Sequence, residues 1–149
     1  MIDIKTLREK IAEIRAGIPE IKKVEFLVTD DELANVMGDH KKEDGLLLCA
    51  VVPSYGGFGE EDDSGYKSYL QFFLCEKVDL KVFKNQNDYI DTLQRISEVV
   101  KPFVKTFFTR EDCLALDLDR DSLNIDAFSR KAQCMGYSIE VDAKSYIDF

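Results

Sequence analysis

Residues 46–52 read Leu-Leu-Leu-Cys-Ala-Val-Val, an unbroken apolar run bounded by Gly45 and Pro53. A half-exposed strand would alternate polar and apolar residues, and a helix would need a longer run, so this stretch predicts a central strand covered on both faces. Residues 66–78 are rich in aromatic side chains and predict a second strand. Together the two segments predict an antiparallel hairpin in the middle of a sheet.

The segment between these strands, residues 54–65, combines glycines with four consecutive acids and predicts a mobile loop. A phosphate-binding loop is excluded, because no Gly-Lys-Ser/Thr leads into a helix here. Exposed aromatic residues are enriched at protein interfaces, so the loop is a candidate contact surface. Ordinary packing of its aromatic side chains on the sheet is the alternative. The candidate contact residues are Tyr55, Phe58, Glu60, Glu61, Asp62, Asp63 and Tyr66.

Two main helices are predicted from apolar residues spaced three and four apart. The first helix carries Ile4, Leu7, Ile11 and Ile14, and the second carries Tyr89, Leu93, Ile96, Val100, Phe103 and Phe107. Asp3 is placed to cap the first helix, which Gly17 and Pro19 should end. Pro102 falls inside the second helix and should kink or break it, because proline has no amide hydrogen to donate.

Further strands are predicted where apolar residues alternate with polar ones. They are Val24 to Val28, Leu114 to Leu118 and Tyr137 to Val141, with Leu123 to Phe128 as a short additional strand. The polar segment 30–45 is predicted to be a long connection, in which Leu33, Val36 and Met37 could form one short helical turn. The resulting order is α-β-β-β-α-β-β, which predicts a single α+β domain over residues 1–149, with a mostly antiparallel sheet and two main helices packed on one face.

Composition limits the classes of partner. The chain has 149 residues and a net charge of −9, from 20 basic and 29 acidic side chains, so its average field repels nucleic acid and anionic lipid. Neither a signal peptide nor a membrane span is apparent, and we expect a cytoplasmic protein whose partners are proteins. The four cysteines, Cys49, Cys75, Cys113 and Cys134, are predicted to be small buried side chains.

Few residues form a pattern that is typical of a catalytic or metal-binding site. Asp117, Asp119 and Asp121 stand at alternate positions like the first half of a calcium loop, but Ser122 and Phe128 replace its required glycine and glutamate. A solvated strand face is the better interpretation, and weak cation binding stays open. His40 is the only histidine and lies in a stretch too polar to shield a catalytic base. We therefore predict no catalytic residue, cofactor or metal, although a catalytic pair of carboxylates is not eliminated.

The order of the predicted elements and their apolar or polar character resemble those of the tail-terminator type, the small α+β proteins that complete phage tails and necks. The matching segments are Asp3 to Ala16, Ile18 to Phe26, Leu46 to Val52, Phe72 to Glu76, Asn87 to Phe108 and Gly136 to Val141. The resemblance implies a non-enzymatic subunit that forms a ring on a tail tube, in a virion-like particle. It also implies a long hairpin loop that is free to touch the neighbouring ring. The long segment 30–45 and the acidic loop depart from that pattern.

These observations favour two functions, and a small enzyme, which a closed pocket with perturbed carboxylates would indicate, comes third. The first is a homo-oligomeric assembly protein that uses sheet edges and the 54–65 hairpin for contact. The second is a monomeric acidic interaction module, of the immunity or adaptor type, that covers a basic partner protein. Oligomeric state and the salt dependence of binding distinguish the two, because electrostatic steering of a basic partner weakens as salt rises.

Overall fold

The computed structural model of the chain describes residues 1–28, 30–61, 63–79, 81–83, 85–109 and 117–146. These described residues contain three helices, one short 3₁₀ turn at Lys42–Asp44, and five strands. The helices are α1 (Ile4–Gly17), α2 (Asp30–Asp39) and α3 (Gln86–Phe107); the strands are β1 (Ile21–Leu27), β2 (Leu46–Glu60), β3 (Asp63–Lys77), β4 (Leu118–Lys131) and β5 (Cys134–Tyr146). Within these residues, no helix is both long and apolar enough to cross a membrane.

The five strands form one mixed sheet in the order β1-β2-β3-β5-β4. The chain is therefore α+β, as the sequence predicts. The β1–β2 pairing is parallel and the other pairings are antiparallel. Parallel neighbours require a crossover connection, and α2 supplies it between β1 and β2. The central β2–β3 pairing confirms the predicted hairpin.

Helices α1 and α3 cover one face of the sheet, called here the α1/α3 face. Three phenylalanines dominate its centre: the Phe72 ring of β3 meets Phe103 and Phe107 of α3 edge-on, with ring centroids 5.4 and 5.1 Å apart. The α1 stripe is buried against the same face, with Leu7, Ile11 and Ile14 at most 1% exposed. Edge-to-face rings and complete aliphatic burial make this the main hydrophobic core.

Helix α2 packs on the opposite face, called here the α2 face; the two predicted helices share one face, but this third helix changes the predicted order α-β-β-β-α-β-β to α-β-α-β-β-α-β-β. Leu33 and Met37, four residues apart, are buried against Leu47 and Phe73. Apolar residues at Leu33, Val36 and Met37 indicate at most one helical turn, so the sequence of 30–45 did not predict this 10-residue helix. The tertiary fold stabilises it, because the central strands are apolar on both faces and α2 covers the second.

The two predicted helices differ from expectation in two details, the N-cap of α1 and the effect of Pro102 within α3. Asp3 occupies the N-cap position of α1, but its carboxylate accepts a hydrogen bond from the Thr6 hydroxyl at 3.3 Å and caps no backbone amide. Pro102 does not break α3, which continues to Phe107. Packing of Phe103 and Phe107 against Phe72 offsets the hydrogen bond that proline cannot make.

The last two strands form a second hairpin. The predicted Leu123 to Phe128 strand is part of the longer β4, and Tyr137 to Val141 lies within β5. The predicted strand Leu114 to Leu118 lies outside the described residues except at its end, where Leu118 begins β4. Lys131 pairs with Cys134, so Ala132 and Gln133 alone form the turn. Both have positive φ, 50° and 61°, the left-handed conformation that a type I′ turn requires.

Candidate interaction surfaces

The described residues of the segment predicted to be a mobile loop, 54–61 and 63–65, instead extend the central hairpin. Strands β2 and β3 remain paired from Leu46 opposite Glu76 to Glu60 opposite Asp63. We call residues 54–60 and 63–69 the hairpin arm. Glycines and acids resemble loop sequence, but β5 pairs with β3 as far as Gly65 and thereby supports the arm on its other side. The neighbouring strand supplies the order that local composition does not.

A bulge separates the hairpin arm from the core. Val51 lies opposite Gln71 and Ser54 lies opposite Tyr69, so β2 contains one residue more than β3 over this interval. Pro53 sits in the bulge, where the ladder needs no hydrogen bond from its nitrogen. The bulge bends β2 and sets the direction in which the arm leaves the core.

Tyr55 fixes the base of the arm to the N-terminal segment. Its hydroxyl donates to the backbone carbonyl of Ile2 at 2.8 Å, and the amide of Ile2 donates to the Ser68 hydroxyl at 3.1 Å. Ile2 and Ser68 are buried and Tyr55 is half-buried. Tyr55, a predicted contact residue, therefore anchors the arm.

The other two predicted aromatic contacts differ from each other. Phe58 is half-buried, close enough to Gly65 that an added Cβ there would lie 2.9 Å from its ring, and the Lys144 ammonium lies 5.7 Å from its ring centroid. Tyr66 is 43% exposed. Phe58 thus packs within the arm, while Tyr66 presents its ring to solvent.

The end of the arm carries a concentration of negative charge. Glu60, Glu61 and Asp63 are all exposed, and Glu60 lies directly opposite Asp63; we call these three residues the acidic tip. Asp62 lies outside the described residues. Gly59 allows the close turn, because its φ is +89° and an added Cβ would lie 1.9 Å from the Asp63 carbonyl oxygen. Like charges in opposed positions destabilise a strand pair.

The part of the α2 face that helix α2 does not cover is open to solvent and carries charged side chains in pairs. The Lys67 ammonium lies 3.1 Å from Asp142, and Lys144 lies 3.7 Å from Asp119. Hydrogen bonding to Asp142 and its charge raise the pKa of Lys67. The charged groups on this face mainly compensate one another across strands, which is ordinary cross-strand stabilisation.

The aspartates considered for cation binding have other partners. Asp119 Oδ1 accepts from the amide of Asp121 at 3.2 Å, and its Oδ2 faces Lys144. Within the described ranges, no three His, Cys, Asp or Glu side chains are grouped so that they could hold a metal ion. Weak cation binding by Asp117, Asp119 and Asp121 gains no support from this geometry.

His40 is more enclosed than its polar sequence suggests. It is 1% exposed, and its Nε2 donates to the Gly45 carbonyl at 2.7 Å. Its Nδ1 has no hydrogen-bond partner in the described part of the chain, and Asp44 Oδ2 lies 3.9 Å away. The ring joins the end of α2 to the turn before β2. The expectation of a solvated histidine is wrong, and a structural role follows from its position.

Three thiols lie together beneath α2. Cys49, Cys75 and Cys134 are fully buried, as the sequence predicts, and Cys113 lies outside the described residues. Burial is the main factor that raises the pKa of Cys49 to about 12. Cys75 donates a hydrogen bond to the Cys134 sulfur, which raises the pKa of Cys75 and lowers that of Cys134. Burial and a raised pKa make Cys49 and Cys75 poor nucleophiles.

A groove that the sequence interpretation missed lies between α1 and the edge strand β1. Its volume is about 740 Å³. Val24 and Phe26 form its apolar side, and Arg8 lies over the Phe26 ring at 5.8 Å. The available signal was one mainly basic helix face, on which Lys5, Arg8, Ala12 and Arg15 are spaced three, four and three residues apart. We call this feature the α1–β1 groove.

No protein-family model matches the chain, and a search of curated proteins also finds no match.

Proposed function

We propose that the chain is a non-enzymatic assembly protein whose copies join through the hairpin arm. The acidic tip is the observation that supports this proposal. Its three described carboxylates are exposed, Glu60 and Asp63 face each other, and no ion pair joins them to a basic side chain among the described residues. Opposed carboxylates lower the stability of the monomer and add nothing to its core. Such an arrangement is typical of a functional surface.

The order in the arm strengthens this argument. A disordered acidic loop would lose conformational entropy on binding, whereas a paired hairpin is already in its bound conformation. Tyr55 and the bulge at Val51 to Ser54 fix where the tip lies relative to the core. Such a preorganised projection suits repeated, identical contacts between subunits. The resemblance to tail-terminator proteins supports a ring as the assembly formed.

Removal of the arm's end tests the proposal. Deleting Gly57 to Ser64 joins Gly56 to Gly65 and leaves Gly56 opposite Lys67, so Gly65 and Tyr66 would form a two-residue turn with glycine first, as type II′ turns prefer. We expect the wild-type protein to form a discrete oligomer in light scattering over a concentration series. The deletion should give a monomer whose melting temperature falls by no more than about 4 °C, equivalent to roughly 1 kcal/mol.

A charge-neutral variant gives the matched comparison. Glu60→Gln, Glu61→Gln and Asp63→Asn together remove three negative charges from the tip, and Asp39→Asn, Glu43→Gln and Asp91→Asn remove three from exposed sites elsewhere. Only the tip set should weaken assembly. Wild-type protein that stays monomeric at every concentration, or a deletion variant that still assembles, would contradict the proposal.

The net charge of −9 favours a second candidate, a monomeric acidic module that covers a basic protein. Opposite charges would accelerate association, and the association rate would fall steeply as salt rises. A wild-type monomer that binds a basic partner with that salt dependence would support this candidate against self-assembly.

A further inference from the structure

The α1–β1 groove has the features of a docking surface. Its 740 Å³ lies within the range of about 300–1,000 Å³ that is typical of binding pockets. Ile4, at 42% exposure, and the half-buried Val24 and Phe26 contribute apolar surface. Charged helix residues surround this apolar floor, as polar rims surround many protein interfaces.

The charge of the groove is opposite to that of the chain as a whole. Lys5, Arg8 and Arg15 line it, with Glu9 as the acidic member. Arg15 donates to the Lys22 carbonyl of β1 at 2.8 Å, so its guanidinium is held against the edge strand. Lys5 and Glu9 form a loose exposed pair at 4.0 Å, which contributes little and is readily exchanged. The groove is therefore a local basic surface that suits a carboxylate-rich partner.

The edge of the sheet beside the groove is also the less protected one. Among the described strands, β1 and β4 each pair with a single neighbour. Two register irregularities interrupt β4, between Asp119 and Asn124 and between Phe128 and Lys131, and such bulges discourage strand addition. The β1 pairing has one irregularity, between Ile21 and Lys23, and is regular from Lys23 to Leu27. A partner can approach this side of the sheet closely.

The acidic tip cannot reach the groove of its own chain. Phe26 in the groove lies opposite Ala50, and Glu60 lies ten residues beyond Ala50 on the same strand. At ~3.3 Å per residue, that separation is roughly 33 Å along β2, and even from Tyr55, which bonds Ile2 just before α1, Glu60 lies five residues or roughly 16 Å further along the paired strand. Because the arm is paired with β3 over this length, it cannot fold back. Any contact between tip and groove must join two copies of the chain.

We propose that the α1–β1 groove of one copy binds the acidic tip of a second copy. This inference rests on the proposed assembly function and specifies the surface that receives the hairpin arm. The two contacting surfaces differ, so the interface is heterologous, and repetition of such a contact closes into a ring when the rotation between subunits allows. Glu60, Glu61 and Asp63 face Lys5, Arg8 and Arg15 across the interface.

A charge exchange between two variants tests the pairing. The groove-reversed variant carries Lys5→Glu and Arg8→Glu, and the tip-reversed variant carries Glu60→Lys and Glu61→Lys. When either variant is alone, its tip and groove carry like charges. We therefore expect its self-association constant, measured by light scattering, to fall at least ~10-fold, which is the effect of losing one charge pair of modest strength. An equimolar mixture restores opposite charges at every contact between unlike variants, which favours particles in which the two variants alternate. It should assemble, with both variants in the same particles.

Lys101→Glu is the matched control for Lys5→Glu, because Lys101 is also exposed on a helix and pairs with one carboxylate, Glu98, at 3.2 Å. It should leave assembly unchanged. Since Arg8 contacts Phe26, circular dichroism melting checks the fold of the reversed variant. If that variant unfolds, Ala12→Glu adds charge and bulk to the exposed groove without removing a contact, and it should also prevent assembly.

The outcomes separate the two proposals. Wild-type protein that is monomeric at all concentrations overturns the assembly function itself. Wild-type protein that assembles, together with a folded groove-reversed or Ala12→Glu variant that assembles equally well, overturns the groove as the receiving surface and leaves the assembly function in place. A mixture of the two reversed variants that stays dissociated also overturns the pairing of tip with groove.

Discussion

The thiol of Cys49 lies beneath α2 with no exposed side-chain surface, and burial is the main reason that its pKa rises from an ordinary value of 9.0 to about 12. Between these two pH values an unfolded chain ionises the thiol and the folded chain does not. The neutral thiol therefore contributes stability that is fully present below about pH 9 and is lost as the pH rises towards about 12.

We predict that the free energy of unfolding falls with alkaline pH more steeply in the wild-type protein than in Cys49→Ala. At pH 10.5, about 1.5 units above the unfolded pKa, the thiol accounts for roughly 2 kcal/mol of the loss. Urea denaturation at pH 8 and pH 10.5 in the presence of a reductant measures the difference. Equal losses in the two proteins would show that Cys49 ionises as readily in the folded state as in the unfolded one.

His40 shows how a residue's surroundings along the chain can mislead. Its neighbours in sequence are polar and charged, which indicates solvent exposure, yet the ring is buried and donates to Gly45. The polar neighbours point outwards because α2 and the following 3₁₀ turn reverse the chain around the ring. The direction of a side chain in an irregular segment depends on tertiary packing, which composition does not specify.

The β4–β5 turn is the element with the clearest departure from local preference. Type I′ turns favour Asn-Gly because both central residues have positive φ, and the chain has Ala132 and Gln133 there. A left-handed conformation costs an ordinary residue roughly 1 kcal/mol or more. The double substitution Ala132→Asn with Gln133→Gly should therefore raise the free energy of unfolding by about 1–2 kcal/mol in urea denaturation.

Arg130→Gly is the comparison for that prediction, because it places a glycine within strand β4, where φ is negative. Glycine weakens a strand interior, so this variant should lose stability, by roughly 0.5–1 kcal/mol. A loss of stability in the turn variant as well would mean that contacts of Ala132 on the α2 face outweigh its unfavourable backbone conformation.

Helices and strands whose apolar pattern continues over several turns or residues were predictable from the sequence. The apolar stripes of α1 and α3 and the uninterrupted run in β2 each repeat over several turns or residues, and each forms the predicted element. Helix α2 and the hairpin arm were not predictable in this way. The first has too few apolar residues, and the second has glycines that favour a loop unless a neighbouring strand pairs with them.

For the whole molecule, the strand order sets where the structure is most resistant to opening. Leu48 and Leu74 pair in the centre of the sheet, with β1 and β5 on their outer sides. Strand β4 lies at an edge and is interrupted by two register shifts. Local opening of an edge breaks fewer backbone hydrogen bonds than opening of the centre.

We predict that the amides of β2 and β3 near Leu48 and Leu74 exchange hydrogen most slowly, and that those of β4 from Asp121 to Ser122 exchange at least ~10-fold faster. Hydrogen exchange followed by NMR or mass spectrometry measures both sets in one sample. Slow exchange throughout β4 would indicate that its edge is covered, for example by another copy of the chain. Dilution to the monomer then distinguishes coverage from intrinsic stability.

The sequence by itself determined the α+β class, the central hairpin, the two long helices and the burial of three cysteines, because hydrophobic periodicity and chain breakers act locally. Only the tertiary structure decided the parallel β1–β2 pairing, the position of α2 on the opposite face and the order of the hairpin arm. It also decided the α1–β1 groove, whose lining residues come from two elements. These features depend on contacts between segments distant in sequence, and a local pattern cannot encode which distant segment will be the partner.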